Sequence, residues 1–296
     1  MSLLNLTNDG LPNILIVLYA AVASARSPLT TDEIIEAVAP AGMVSDSRMA
    51  RATLNRWTEL GLFQSDGEHV LLAHAPETDM KSDMEIVRAV RIAARRCAMS
   101  EVNNPDLWAQ EGARAADLTR TLAWLLAQDV YRMRFNEAQS LEIKQIANDD
   151  LRLMQNDTRK NGLQHWGHFL GFIRQPGGGD IDPTLAVRDA LPACISLGEE
   201  MPAAELVERF AHALPVLDGG VYRVAVEAQL EKDVLPLLQP GQLSTSLSRA
   251  MFSLMIDQTL QFENRADVGR SIVFTGRDGL RPDHRYSWVR RSKRTA

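Results

Sequence analysis

The N-terminal quarter of the chain changes its hydrophobic spacing from helical to extended. A helix is predicted from Pro12 to about Ala25, because proline fits a first helical turn and apolar residues then recur at helical spacing. A second helix is predicted over roughly Asp32 to Ala39, with Thr30 or Thr31 as its N-cap and Pro40 as its stop. The two helices are short enough to pack against each other in a small domain.

A third helix is predicted after a short turn. Ser45 or Asp46 is a good N-cap for it, and Gly61 is a typical left-handed C-cap. One face carries residues that we expect to lie in the core: Ala50, Thr53, Leu54, Trp57 and Leu60. The opposite face is polar and carries Ser47, Arg48, Arg51 and Asn55.

Two short extended segments follow the third helix. Leu62–Gln64 and Val70–Leu72 flank Ser65–Glu68, which contains an Asp-Gly pair typical of a tight hairpin turn. Helices followed by a hairpin resemble a winged helix-turn-helix domain, whose last helix presents its N-terminal half to the major groove. The resemblance implies that DNA is contacted by Ser47, Arg48, Arg51 and Asn55.

The connection between these two segments favours a second interpretation. It contains Asp66 and Glu68 and no Lys or Arg, and carboxylates there would repel phosphate groups. Winged helices also dimerise or dock other proteins. A DNA-binding role and a purely protein-facing role therefore both stay open for this domain, which we place at residues 1–75.

Residues 84–214 have helical spacing throughout and predict a helical middle domain. Its first helix carries a stripe of Arg88, Arg91 and Arg95. Such a stripe either follows a phosphate backbone or is a solvated face paired with acidic neighbours, and we favour the second reading.

A pattern of helix and strands recurs in residues 215–280 and predicts a second winged helix. Its strands, Leu260–Glu263 and Ser271–Phe274, would flank a basic wing tip, preceded by a helical segment from Val221 to about Leu238 and a helix capped at Ser244 or Thr245. We expect the phosphate-holding residues of this domain to be Arg249, Arg265 and Arg270.

The last segment, residues 281–296, is predicted to be a basic tail interleaved with Tyr286 and Trp288. A basic tail with aromatic residues can grip nucleic acid, and it can equally be a solvated terminus. Both readings stay open.

The composition limits these predictions. The chain has 296 residues, a formal net charge of −6 and 45% hydrophobic residues, so any DNA contact must come from local basic patches. Cys97 and Cys194 lie in apolar helical contexts and are predicted to be buried thiols. We expect a cytoplasmic protein, because residues 1–9 lack the basic region of a signal peptide and residues 11–25 are too short to span a bilayer.

No catalytic motif and no cofactor site is predicted. His165 and His168 lie three residues apart, but no Glu or Cys completes a zinc set, so both are interpreted as packing residues. The run at 177–179 is three glycines followed by Asp180 and Asp182, rather than the Gly-Lys-Ser/Thr of a phosphate-binding loop. The two aspartates are a weak basis for a metal site.

The whole chain resembles the DpdG family. The resemblance rests on the opening SLLNLTNDGLPNILIVLYAAV, on the winged helix after it, and on the central LQHWGHFLGF. It implies an accessory protein of bacterial clusters that install 7-deazaguanine derivatives in DNA and restrict unmodified DNA. Helicase or nuclease partner proteins are implied as well, and no catalytic residues are carried over.

These observations give a leading hypothesis: a mainly α, non-enzymatic DNA-binding or scaffold subunit of a DNA-restriction or phage-defence system. Its partners would be double-stranded DNA bound with weak sequence preference, other proteins of the system, and a second copy of the chain, with no membrane partner. One alternative is an adaptor whose winged helices dimerise or dock an enzyme. Another is a one-component transcription regulator whose helical middle senses a ligand.

Overall fold

The computed structural model of the protein describes residues 3–4, 11–44, 46–77, 80–108, 114–152, 154, 156–174, 180–231, 233–265 and 270–292. Contacts divide the chain into unit 1, residues 1–118 with 156–170, and unit 2, residues 119–155 with 171–296. This division cuts across the predicted middle domain, and the predicted domain bounds 1–75, 84–214, 215–280 and 281–296 stay a prediction. No helix in the described part of the chain combines the length and apolarity that crossing a bilayer requires.

The fold is mainly α with small antiparallel sheets. The helices are α1 (Pro12–Ser24), α2 (Thr31–Val38), α3 (Arg48–Glu59), α4 (Asp83–Ala98), α5 (Ala116–Ala127), α6 (Ala138–Gln145), α7 (Asp157–Phe169), α8 (Thr184–Cys194), α9 (Ala203–Ala213), α10 (Val221–Glu227) and α11 (Thr245–Ile256). The strands are β1 (Leu29–Thr30), β2 (Phe63–Ser65), β3 (His69–Leu72), β4 (Glu200–Pro202), β5 (Leu260–Glu263), β6 (Ile272–Gly276), β7 (Gly279–Tyr286) and β8 (Trp288–Arg291).

In unit 1, α1, α2 and α3 pack around an apolar core. Thr30 and Glu33 form a reciprocal capping box at the start of α2, which satisfies backbone N–H groups that a helix start leaves open. Trp57 of α3 is fully buried, and its ring centroid lies 5.2 Å from that of Trp166 in α7. The hydrophobic face of α3 therefore fixes which of its residues point outward.

A three-stranded sheet of order β1–β3–β2 follows α3. Phe63 pairs with Leu72 across β2 and β3, and Leu29 pairs with Val70 across β1 and β3. Gly67, in the turn between β2 and β3, has φ of +104°, a conformation that L side chains rarely adopt. The hairpin thus closes immediately after α3.

In unit 2, the predicted hairpin between residues 260 and 274 is wrong. β5 pairs with β8 and not with β6, with Leu260 opposite Arg291, while β6 pairs with β7, with Ile272 opposite Tyr286. The reason is local closure: β6 and β7 are joined through a tight turn that ends at Gly279 (φ +100°), whereas eight residues separate β5 from β6.

Two other C-terminal predictions need correction. The helix predicted from Val221 to about Leu238 ends at Glu227, and the chain soon reaches Asp233, whose φ of +64° is incompatible with a continuing helix. The predicted basic tail is folded as far as Arg291, because β8 is the middle strand of the sheet β4–β8–β5 and its Val289 is buried. Residues 293–296 lie outside the described part of the chain.

Candidate nucleic-acid interface

The first turn of α3 is shaped by a carboxylate. Asp46 Oδ1 accepts a hydrogen bond from the backbone N–H of Arg48 at 2.9 Å, but Asp46 is not the N-cap as predicted, because the helix begins one residue later than that prediction requires. Ser47 occupies the N-cap position without a capping hydrogen bond from its side chain. Ser45, the other predicted cap, lies outside the described residues.

The polar face of α3 is accessible. Arg48 has 91% of its side chain exposed, Arg51 has 46%, and Asn55 is exposed one turn further along. Together with Ser47 they follow one another at helical spacing along the side opposite the buried Trp57. The structure therefore brings these four predicted site residues onto one surface, which we call the α3 face.

Both arginines of the α3 face are held by carboxylates. Arg48 Nε lies 3.0 Å and 2.9 Å from the two oxygens of Asp46, and Arg51 Nη2 lies 2.7 Å from Asp32 Oδ1 of α2. The hydrogen bonds between Arg48 and Asp46 lower the pKa of the carboxyl and raise that of the guanidinium. Exposed pairs of this kind are screened by solvent and contribute little to stability, so a phosphate group can displace the carboxylate.

The turn between β2 and β3 carries negative charge. Asp66 accepts hydrogen bonds from the backbone N–H groups of His69 and Glu68 at 2.9 Å and 3.3 Å, and these bonds lower the pKa of its carboxyl. Glu68 is exposed beside it. This tip is therefore unsuited to phosphate contact.

Apolar side chains lie beside the start of α3. Met43 is 86% exposed, Val44 is 41% exposed and Met49 is 40% exposed. Methionine is enriched in the contact regions of protein–protein interfaces. Sequence reasoning missed these residues, together with Asp32 and Asp46 as arginine partners, because spacing reports which face is buried and not which side chains meet on the other face.

The three predicted phosphate-holding residues of unit 2 have different surroundings. Arg249 is 17% exposed, and its Nε and Nη2 lie 3.3 Å from Asp182 and 3.5 Å from Asp180. Its guanidinium also lies 5.7 Å from the ring centroid of Tyr131. To reach a phosphate, Arg249 would have to leave two carboxylates and a partly buried position.

Arg265 already contacts two carboxylates and an aromatic ring, whereas most of the Arg270 side chain is exposed to solvent. Arg265 donates to Glu200 at 2.7 Å, pairs with Glu263, and stacks over Trp288 with 4.3 Å between the guanidinium carbon and the ring centroid. Arg270 is 82% exposed and lies 3.6 Å from Glu208. No contact in the described part of unit 2 joins Arg249, Arg265 and Arg270 into one cluster.

The basic stripe predicted on α4 is not a continuous surface. Arg95 is 4% exposed, and its guanidinium donates to the carbonyl oxygen of Leu170 at 2.7 Å. Arg88 and Arg91 are half-buried. Arg95 therefore stabilises the interior of unit 1 and cannot follow a phosphate backbone.

The interpretation of His165 and His168 as packing residues is wrong, because both are exposed on α7 while Trp166 and Phe169 are buried. The helix turns its aromatic residues inward and its histidines outward. Among the described residues, no group of three His, Cys, Asp or Glu side chains is placed to hold a metal ion.

The two thiols are buried as predicted. Cys97 and Cys194 form no disulfide, and burial raises the pKa of each thiol to about 11. At neutral pH both are protonated and poorly nucleophilic.

Comparison with known proteins yields one match. A family model described as DpdG-like matches residues 1–268. Neither the curated proteins nor the solved structures contain a significant match. The family suggests involvement in a DNA-modification and defence cluster. Because the matched region covers most of the chain, the protein belongs to the DpdG-like family.

Proposed function

We propose that this protein is a non-enzymatic DNA-binding or scaffold subunit of a bacterial DNA-restriction or phage-defence system, and that its N-terminal region is a winged helix-turn-helix domain. The observation that carries the proposal is the α3 face. It joins two arginines and an asparagine on the exposed side of a helix that precedes a hairpin. Arginine and asparagine are the side chains that most often read guanine and adenine in the major groove.

The electrostatics of the α3 face support weak and exchangeable binding. Asp32 and Asp46 neutralise the arginines in the free protein, so binding exchanges two exposed ion pairs for phosphate or base contacts. With a net charge of −6, the protein has no excess of positive charge to add a long-range attraction. Arg270, the most exposed of the three predicted arginines of unit 2, would add a phosphate contact.

The test is binding of the purified protein to a generic labelled duplex at two salt concentrations. We expect affinity to fall as salt rises, because neutralised phosphates release their counterions. Arg51→Ala should weaken binding about tenfold if the residue makes a base-edge contact. Arg132→Ala is the matched control, since Arg132 is an exposed arginine of unit 2 that also pairs with a carboxylate, Asp129.

Absence of binding at low salt, or equal losses in the two variants, would contradict the DNA-binding proposal. A preference for one promoter-like sequence would instead favour a transcription regulator, since a defence subunit should bind with little sequence preference.

A second candidate function is supported by the apolar residues beside α3. Met43, Val44 and Met49 are exposed, and the hairpin turn of the same unit is acidic, which suits a protein surface better than DNA. In this function the N-terminal region docks a partner protein or a second copy of the chain. Met43→Ser with Met49→Ser should then abolish dimerisation or partner binding without adding negative charge beside Arg48, which light scattering and a duplex-binding assay measure together.

A further inference from the structure

Unit 2 contains a cavity of about 710 Å³ that opens to solvent. Its walls are the end of α5, α10, residues 228, 230, 231 and 233–238, the start of α11 and the turn between β6 and β7. We call it the α10 groove. Its volume lies within the range of pockets that bind small molecules or the anchor side chains of a peptide.

The rim of the α10 groove leaves large apolar side chains in water. Leu237 is 97% exposed and Leu238 is 37% exposed, and both line the groove. Apolar side chains clustered at an opening mark contact sites more often than isolated ones do.

The charges of the groove are predominantly negative. Arg132 pairs with Asp129 at 3.4 Å, and Arg223 lies between Glu227 and Asp218. Three further carboxylates on the lining, Glu231, Asp233 and Asp278, form no ion pair with any described residue. Among the described lining residues, Arg277 alone remains to offset them. The lining therefore favours a cationic occupant and disfavours nucleic acid.

The lining of the groove includes the buried guanidinium of Arg223. The side chain of Arg223 is 3% exposed, and its Nε donates to Glu227. Its Nη1 lies 3.8 Å from Asp218 Oδ1 and has no hydrogen-bond partner in the described part of the chain. Because two carboxylates already neutralise this buried guanidinium, it does not offset the remaining carboxylates of the lining.

We propose that the α10 groove docks a segment of a partner protein that carries aliphatic side chains and Lys or Arg, an amphipathic basic segment. Its aliphatic residues cover Leu237 and Leu238, and its cations meet Glu231 and Asp233. This is the helix-in-groove mode of peptide recognition. The inference does not depend on DNA binding by the α3 face.

The test uses the full chain and a labelled 16-residue peptide of Leu and Lys at helical spacing, followed by fluorescence anisotropy. We expect the peptide to bind, and Leu237→Asp or the pair Glu231→Lys and Asp233→Lys to weaken binding about tenfold, as loss of one buried leucine or of the charge contacts implies. A Leu and Glu peptide of the same length should not bind.

Matched controls separate docking from adsorption of a cationic peptide. Ile256→Asp places the same new charge at another exposed apolar residue of unit 2, and Glu137→Lys with Asp283→Lys makes the same charge change outside the groove. All control variants should bind the peptide within about twofold of the wild type, a difference too small for loss of a contact. Equal weakening in groove and control variants overturns the proposal.

Two other results also overturn it: equal binding of the acidic peptide, or no binding up to about 1 mM peptide, the weakest affinity that a docking site would use. The groove variants should keep wild-type affinity for duplex DNA. Failure of groove docking and failure of DNA binding by the α3 face are thus separate outcomes.

Discussion

The regions that follow α3 and α11 have the same sequence pattern and different topologies. After α3, two strands pair with each other through a short turn at Asp66–Glu68. After α11, the first strand, β5, pairs with the last strand of the chain, and the second strand, β6, pairs with its own successor β7. Both regions read as a helix and two strands, and only the first forms the hairpin that this pattern predicts.

The difference shows that the length and conformation of the connections decide which strands pair when the hydrophobic pattern of two regions is the same. A short connection with a glycine at positive φ brings adjacent strands together at a low entropic cost. The connection from β5 to β6 is longer, and the chain after β6 offers a tighter turn and a strand, β8, with a buried Val289. The hairpin after α3 is therefore closed by local contacts, while the strand pairing after α11 depends on residues that are distant in the chain.

Val289→Asp should produce the largest effect among the variants that test this comparison. It places a charge in the middle strand of the sheet β4–β8–β5, and we expect the free energy of unfolding to fall by about 4 kcal/mol. Arg290→Asp, at a half-exposed neighbour, is the control and should cost less than about 1 kcal/mol. Chemical denaturation measures both, and equal small losses would mean that this segment is a tail after all.

Substitution of the glycines in the two hairpin turns should have the second-largest effect on stability. Gly67 and Gly279 have φ of +104° and +100° in open surroundings, so Gly67→Val and Gly279→Val each test backbone conformation without a steric clash. We expect each to lower the free energy of unfolding by about 2 kcal/mol. Gly198→Val, at φ of +83° outside any hairpin, provides a comparison. No change in thermal stability for Gly67→Val would show that the hairpin of unit 1 does not depend on this turn.

The capping box of α2 should have a smaller, pH-dependent effect. Thr30→Ala should cost about 1 kcal/mol at neutral pH. The hydrogen bonds from the backbone and side chain of Thr30 lower the pKa of Glu33 below its ordinary value of 4.5. A lowered pKa means that the folded protein favours the ionised form, so this contribution is present above pH 4.5 and is lost as the pH falls through the lower folded value. Denaturation of wild type and Thr30→Ala across that range should show converging stabilities, and a constant difference would contradict the assignment.

The smallest effect should come from removing the carboxylates that neutralise the α3 face. Asp32→Asn with Asp46→Asn frees Arg51 and Arg48 from exposed ion pairs, which solvent screens and which contribute little to stability. If the α3 face binds DNA, affinity should rise about three- to tenfold at low salt. Asp257 pairs with Arg188 in unit 2, so Asp257→Asn is a control that makes the same kind of change elsewhere. Unchanged affinity in the double variant would mean that these arginines do not meet DNA.

Sequence reasoning predicted the elements of unit 1 closely because their signals are local. The cap at Thr30, the stop before Gly61 and the Asp-Gly turn all act within a few residues. The same reasoning failed where partners are distant in the chain. The pairing of Leu260 with Arg291 leaves no mark on spacing near residue 260.

The candidate site could be predicted only in part for the same reason. Helical spacing places Arg48, Arg51 and Asn55 on one side of α3, but it does not reveal that Asp32, on another helix, holds Arg51. Arg95 shows the opposite error: its charge suggested an exposed stripe, whereas a carbonyl oxygen 75 positions along the chain satisfies it in the interior. Charge patterns in the sequence therefore indicate candidate binding residues, and the packing of the folded chain determines which of them are exposed.

The most direct measurement is the dependence of duplex-DNA affinity on salt concentration for two double variants, Arg48→Ala with Arg51→Ala, and Arg265→Ala with Arg270→Ala. Each lost phosphate contact reduces the slope of log affinity against log salt by about 0.9. The proposal predicts that the α3 variant loses affinity and slope more than the unit 2 variant. A wild-type slope in the α3 variant would contradict the claim that this face meets DNA.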